Sequence, residues 1–194
     1  NRPLQLVVGG QLLIDIIYGI KGMLPVYYMK YVLDAENMIP YFMAMSMVFM
    51  LGGCITAPWF CSKLGKKWAT ISGNFAAALA GVVFYFTGYN IVNMFLFSAI
   101  IIFGTSMANI SLMSMLLDTV EYGEWKTGKR SEGVIFAANT FRAKLASAIG
   151  GALGAYGLAL VNYVPKVEQT ADTLHGIHLL FTIMPGILSL MATI

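Results

Sequence analysis

Asp118-Thr119-Val120-Glu121-Tyr122-Gly123-Glu124-Trp125-Lys126-Thr127-Gly128-Lys129-Arg130-Ser131-Glu132-Gly133 packs seven charges into one short stretch of a chain that is 58% hydrophobic and only 11% charged. Charge at that density is incompatible with hydrocarbon, so the block reads as an aqueous loop between two membrane helices. The surrounding composition agrees. A water-soluble domain carries roughly 25% charged residues, and a mean hydropathy of +0.74 places this chain in the membrane class. The net charge of +3 is small and no Lys/Arg run is interleaved with aromatics, so nucleic acid is not an expected partner.

Outward from the block, the interruptions divide the sequence into six apolar runs, each near the 20 residues that a bilayer core requires. They are Leu4 to Met29, Tyr41 to Phe60, Trp68 to Thr87, Ile91 to Leu117, Val134 to Leu160 and Gly176 to Ile194. The fold class is therefore all-α, a multi-pass bundle of six transmembrane helices. Loops two and four hold Lys63, Lys66, Lys67, Lys126, Lys129 and Arg130, and the leading end adds Arg2, against Lys30 and Lys166 in loops one and five. Basic loops stay in the cytoplasm, which puts both termini on that side. The chain opens Asn1-Arg2-Pro3 without an initiator Met or a signal peptide, and reads as a piece of something longer.

Cys54 and Cys61 have no second Cys/His pair at metal spacing, so they are expected to be packing thiols. His175 and His178, at the mouth of the sixth span, have metal-like spacing but no third ligand and read as surface histidines. No metal or cofactor is expected. Neither Cys nor His has a partner for nucleophilic or acid–base work, which argues against an enzyme.

Charge inside the spans is costly and faces cavities. Asp15 and Lys21 lie in the first span, Arg142 and Lys144 in the fifth. Asp15 and Lys21 are six apart, about 240° around a helix, and each needs a partner elsewhere. Pro25 removes the hydrogen bond to the Lys21 carbonyl and is expected to bend the first span there. Thr140, Lys144, Ser147, Gly151 and Gly154 repeat as one polar and small stripe that suits water, a ligand or a close helix. Arg142 falls near 200° from Lys144, so it is expected to reach the cytoplasmic interface or a neighbouring acid. Gly150, Gly151, Gly154 and Gly157 read as helix contact.

Six helices with both ends inside match one half of a major facilitator transporter, whose two six-helix halves enclose a midplane site. Ser62-Lys63-Leu64-Gly65-Lys66-Lys67 is similar to that family's short basic loop. The run from Asp118 to Gly133, with Asn139-Thr140-Phe141, Lys144 and Tyr163-Val164-Pro165-Lys166-Val167-Glu168-Gln169, resembles the glycoside-pentoside-hexuronide:cation symporters, the melibiose permease group. The resemblance covers residues 1–194, aligned to the carboxy-terminal half. It implies secondary active transport of a sugar or glycoside, coupled to Na⁺ or H⁺ by alternating access, in the bacterial cytoplasmic (inner) membrane.

By the same resemblance, Lys144 corresponds to the family lysine that faces the cation site of the other half, with Thr140 and Asn139 its neighbours at the sugar cavity. Asp118, Glu121, Glu124 and Arg130 resemble the charge network of the cytoplasmic gate. The coupling cation is expected to be bound mainly by the amino-terminal half, which this chain lacks and which is its expected partner along with the lipid bilayer. Asn109 replaces a Trp and Asn139 a Gln of melibiose permeases. The missing stacking surface argues against an α-galactoside and extends the substrate to an anionic sugar such as a hexuronide or a sulfonated sugar. The alternative function is a non-transporting truncated membrane module or assembly partner.

Overall fold

The computed structural model describes residues 2–128, 132–165 and 167–193. Six helices span them: α1 (Arg2–Tyr27), α2 (Ile39–Leu64), α3 (Lys66–Phe86), α4 (Ile91–Thr127), α5 (Glu132–Leu160) and α6 (Ala171–Met191). Each is long and apolar enough to cross a membrane. All six expected spans are present, with different ends.

The largest difference is at the charged block. α4 continues through Asp118, Glu121 and Glu124 to Thr127 instead of ending at Leu117. Its 37 residues measure about 55 Å at 1.5 Å per residue, well beyond a hydrocarbon core of about 30 Å. Glu121, Glu124 and Lys126 have good helix propensity and let the helix project into water as readily as a loop would. It ends where Gly128 takes φ +68°, its N–H donating to the Glu124 carbonyl at 2.8 Å. Loop two likewise contracts to Gly65 alone, at φ +82° and ψ +153°, a region nearly exclusive to glycine. α6 starts at Ala171, capped by the Thr170 hydroxyl, so His175 is helical. Pro25 is accommodated inside α1, which then widens into a π-helical turn, Tyr28–Val32.

α1 is central, packed on α5, α6 and α4; α3 joins α4 to α6, and α2 rests chiefly on α4 and α3. Helices cross closely where glycines meet. A Cβ on Gly150 would stand 2.5 Å from the Ile16 carbonyl oxygen and 2.9 Å from Gly19 Cα, and Gly73 and Gly104 bring α3 and α4 equally close. Gly151, expected to share this role, has open space around its Cβ position. The two larger apolar clusters are Ile20, Leu24, Tyr28, Phe84 and Phe181 towards one end, and Val7, Ile14, Leu112, Leu116 and Ala192 towards the other. The second brings the beginning of α1 beside the end of α6, so both ends lie on one side.

Candidate functional site

Between the two clusters, midway along α1, Asp15 meets Arg142 of α5. Arg142 Nη1 lies 3.0 Å from Asp15 Oδ2, and their side chains are 9% and 17% exposed. The Gly19–Gly150 crossing, one turn from Asp15 and about two turns from Arg142, sets this approach. Asn139 accepts from Arg142 Nε at 3.2 Å, and Asn109 Nδ2 donates to Asp15 Oδ1 at 3.5 Å. Arg142 Nη1 is buried without a well-directed hydrogen bond, so its contact with Asp15 is chiefly electrostatic. Removing one member of such a buried pair costs about 3–5 kcal/mol, because the other charge is left uncompensated.

A cavity of about 310 Å³ opens against this pair, lined by Asp15, Tyr18, Gly19, Ala143 and Ser147. Tyr18 follows Asp15 by three residues on the same helix face, and its hydroxyl lies 3.2 Å from Ser106 Oγ. The cavity thus presents a carboxylate and two hydroxyls, suited to a polar ligand. A larger space of about 490 Å³ between α2 and α4 is lined by Met38, Met45, Phe49, Phe95 and other apolar residues. It has no hydrogen-bonding side chain with which to orient a ligand.

The sequence-derived candidates divide between two faces of α5. Asn109 and Asn139 gather around the Asp15–Arg142 pair. Lys144 and Thr140 are exposed on the other side, Thr140 bonding back to the Phe136 carbonyl at 3.0 Å. Asn139 is thus a neighbour of Arg142 and not of Lys144, because five residues turn a helix by about 140° beyond one full turn. Ser147, one turn beyond Lys144 on the same stripe, reaches the cavity wall. Arg142 takes the neighbouring acid foreseen for it and not the cytoplasmic interface. Lys21 stands 5.6 Å over the Phe181 ring, a cation–π contact.

At the charged end, Lys66 Nζ donates to both oxygens of Asp118 at 2.7 Å, so Asp118 has an ion-pair partner within this chain. Glu121 lies on the projecting turn of α4, and Glu124 supplies the carbonyl that caps it. Arg130 lies outside the described residues. His178 corrects the sequence reading: it is buried, its Nδ1 2.8 Å from Tyr28 Oη and its Nε2 3.2 Å from the Tyr85 carbonyl. The apolar neighbours of α6 hide it, whereas His175 stays exposed between Tyr85 and Tyr89. No group of three metal-ligating side chains occurs among the described residues. Gln169 folds the last loop, its Nε2 donating to the Val164 and Val167 carbonyls at 2.7 Å.

The profile of the family described as MFS/sugar transport protein matches residues 1–194. Over 194 residues the chain is 34% identical to a protein of Escherichia coli (strain K12) named as a candidate sulfoquinovose importer, covering all of this chain and 42% of that protein. It is 32% identical, with the same coverage, to one of the same strain named as a candidate 2,3-dihydroxypropane-1-sulfonate exporter. A glucuronide carrier protein homolog of that strain is 27% identical over 190 residues, 95% of this chain and 41% of the relative. The chain spans about two fifths of the length of these relatives.

Proposed function

Because the chain belongs to the MFS/sugar transport protein family, we propose that it is the carboxy-terminal six-helix half of a sugar or glycoside carrier working by alternating access. It is a transport module and not an enzyme. The observation that carries this reading is the polar cavity at Asp15, Tyr18 and Ser147, midway along α1, beside a buried ion pair in an otherwise apolar bundle. Polar groups at that depth are expensive unless they serve a pathway. The coupling cation, Na⁺ or H⁺, and the amino-terminal half complete the unit. The bias of basic residues to Lys63, Lys66, Lys67 and Lys126 supports cytoplasmic termini in a bacterial inner membrane.

The substrate we infer is an anionic sugar. Two cations, Arg142 and Lys144, flank the α5 segment that contributes Ala143 and Ser147 to the cavity, and relatives are named for sulfonated compounds and a glucuronide. In this reading Lys144 is the first cation that the anionic group meets as it enters from the interface between halves. Lys144→Ala in the intact carrier tests it. Losing a charge-assisted hydrogen bond of about 1.5–3 kcal/mol lowers anionic-sugar uptake about tenfold or more, with membrane content unchanged. Unchanged accumulation would remove Lys144 from the site.

A further inference from the structure

In the substrate reading Arg142 is a fixed cation, and the pairing of Asp15 with it has a further consequence. The pair is neutral as a whole and nearly buried, with the Asp15 side of it lining the cavity. Arg142 contributes an Nη1 group 3.0 Å from the carboxylate but with no hydrogen bond of good direction. That donor retains capacity for a second acceptor. The groups around Asp15 are few. α4 offers Asn109 and, through Tyr18, Ser106; α5 offers Arg142; α2 brings Cys54 near Tyr18. α6 also packs on α1, but its titratable residues Asp172, His175 and His178 lie in its first turns. Lys144 of α5 is exposed on the other side of that helix and Lys21 of α1 stands over the Phe181 ring, so neither is placed to replace Arg142.

We propose that the pair is exchangeable: the anionic group of a substrate replaces Asp15 as the partner of Arg142, and Asp15 then takes up a proton. The charges balance. One anion and one proton enter a neutral site and leave it neutral, so no net charge is stranded in the membrane interior. An unprotonated Asp15 with only the amide of Asn109 for company would be a bare carboxylate beside an apolar core. The proton, held by a group of this half, is what makes anion entry possible. This rests on the anionic-substrate reading and adds a coupling group where only the other half was expected to supply one. Asn139 is a positioning residue here, since its hold on Nε keeps the guanidinium in place while its acid partner changes.

Titration calorimetry on the full-length carrier tests the exchange, using glucuronate and sulfoquinovose as probes and methyl glucoside as the neutral control, in buffers of different ionisation enthalpy. The wild type takes up about one proton per bound anion and none with the neutral glycoside, and its anion affinity rises about tenfold per unit fall in pH while free Asp15 is charged. Asp15→Asn binds anions without proton uptake and without that pH dependence. Should Asp15→Asn lower the yield of folded carrier, Asp15→Asn/Arg142→Gln removes both charges together. It takes up no proton and loses about tenfold or more of its preference for anions over the neutral sugar. Anions binding to the wild type without proton uptake, or equal uptake in Asp15→Asn, overturns the exchange alone. If only methyl glucoside binds, the anionic-substrate reading fails and this proposal falls with it.

Discussion

α2 leaves Met43, Met47, Val48, Leu51, Ile55 and Trp59 uncovered, whereas α5 leaves a polar and small stripe, Ala137, Thr140, Lys144, Ser147, Ala148 and Ala152, uncovered beside the apolar Phe141, Leu145 and Tyr156. Both helices stand at an edge of the bundle, and both runs are apolar enough to be read as spans. Their surfaces nevertheless suit different solvents. Lipid tails match bulky apolar side chains, while an ammonium and two hydroxyls at mid-depth need water or protein, and alanines let a partner backbone come close. An exposed face in a membrane bundle is therefore not automatically a lipid face.

The sharpest way to break this contrast is to move the charge. Met47→Lys puts an ammonium on the α2 face and is expected to cost about 3 kcal/mol of membrane insertion, read as a loss of folded full-length protein after detergent extraction. Wild-type yield would mean that α2 also faces water or protein. A smaller effect separates the two sides of α5 with one chemical change. Gly150→Ala forces a Cβ onto the Ile16 carbonyl and is expected to lower stability by about 1–3 kcal/mol in thermal unfolding of the full-length protein. Gly151→Ala meets open space in this chain and is expected to be neutral or to gain up to about 1 kcal/mol from helix propensity. An equal loss at Gly151 would show further protein approaching this face as closely as α1 does.

The smallest effect belongs to the ends, where both kinds of face leave the membrane. The Lys66–Asp118 pair is half exposed, so Lys66→Gln is expected to change stability by at most about 1 kcal/mol, and by less at high salt. A larger or salt-insensitive loss would mean that the projecting turn of α4 is packed against more protein than this chain supplies.

The number of spans was legible because hydrocarbon imposes a length and a composition on every crossing helix. Their ends were not. Asp118, Glu121, Glu124 and Lys126 suit water whether they sit on a helix or a loop, so charge alone could not show that α4 continues. His178 was misplaced for a related reason: its surroundings come from Tyr28 of α1 and Tyr85 of α3, remote in sequence. Within the site, the costly charges Asp15 and Arg142 could be found from sequence, as could the need of each for a partner.

By itself, the sequence determined the solvent, the six crossings and which residues are too polar for lipid, since these follow from local composition and helical period. Only the tertiary structure decided which of those residues meet. Asp15 joins Arg142 and not Lys21 because Gly19 and Gly150 let α1 and α5 cross within backbone contact. That crossing turns Arg142 and Asn139 inward and leaves Lys144 on the outer face. A helix has one inward face, and which residues occupy it depends on the neighbour it packs against, which no local pattern specifies.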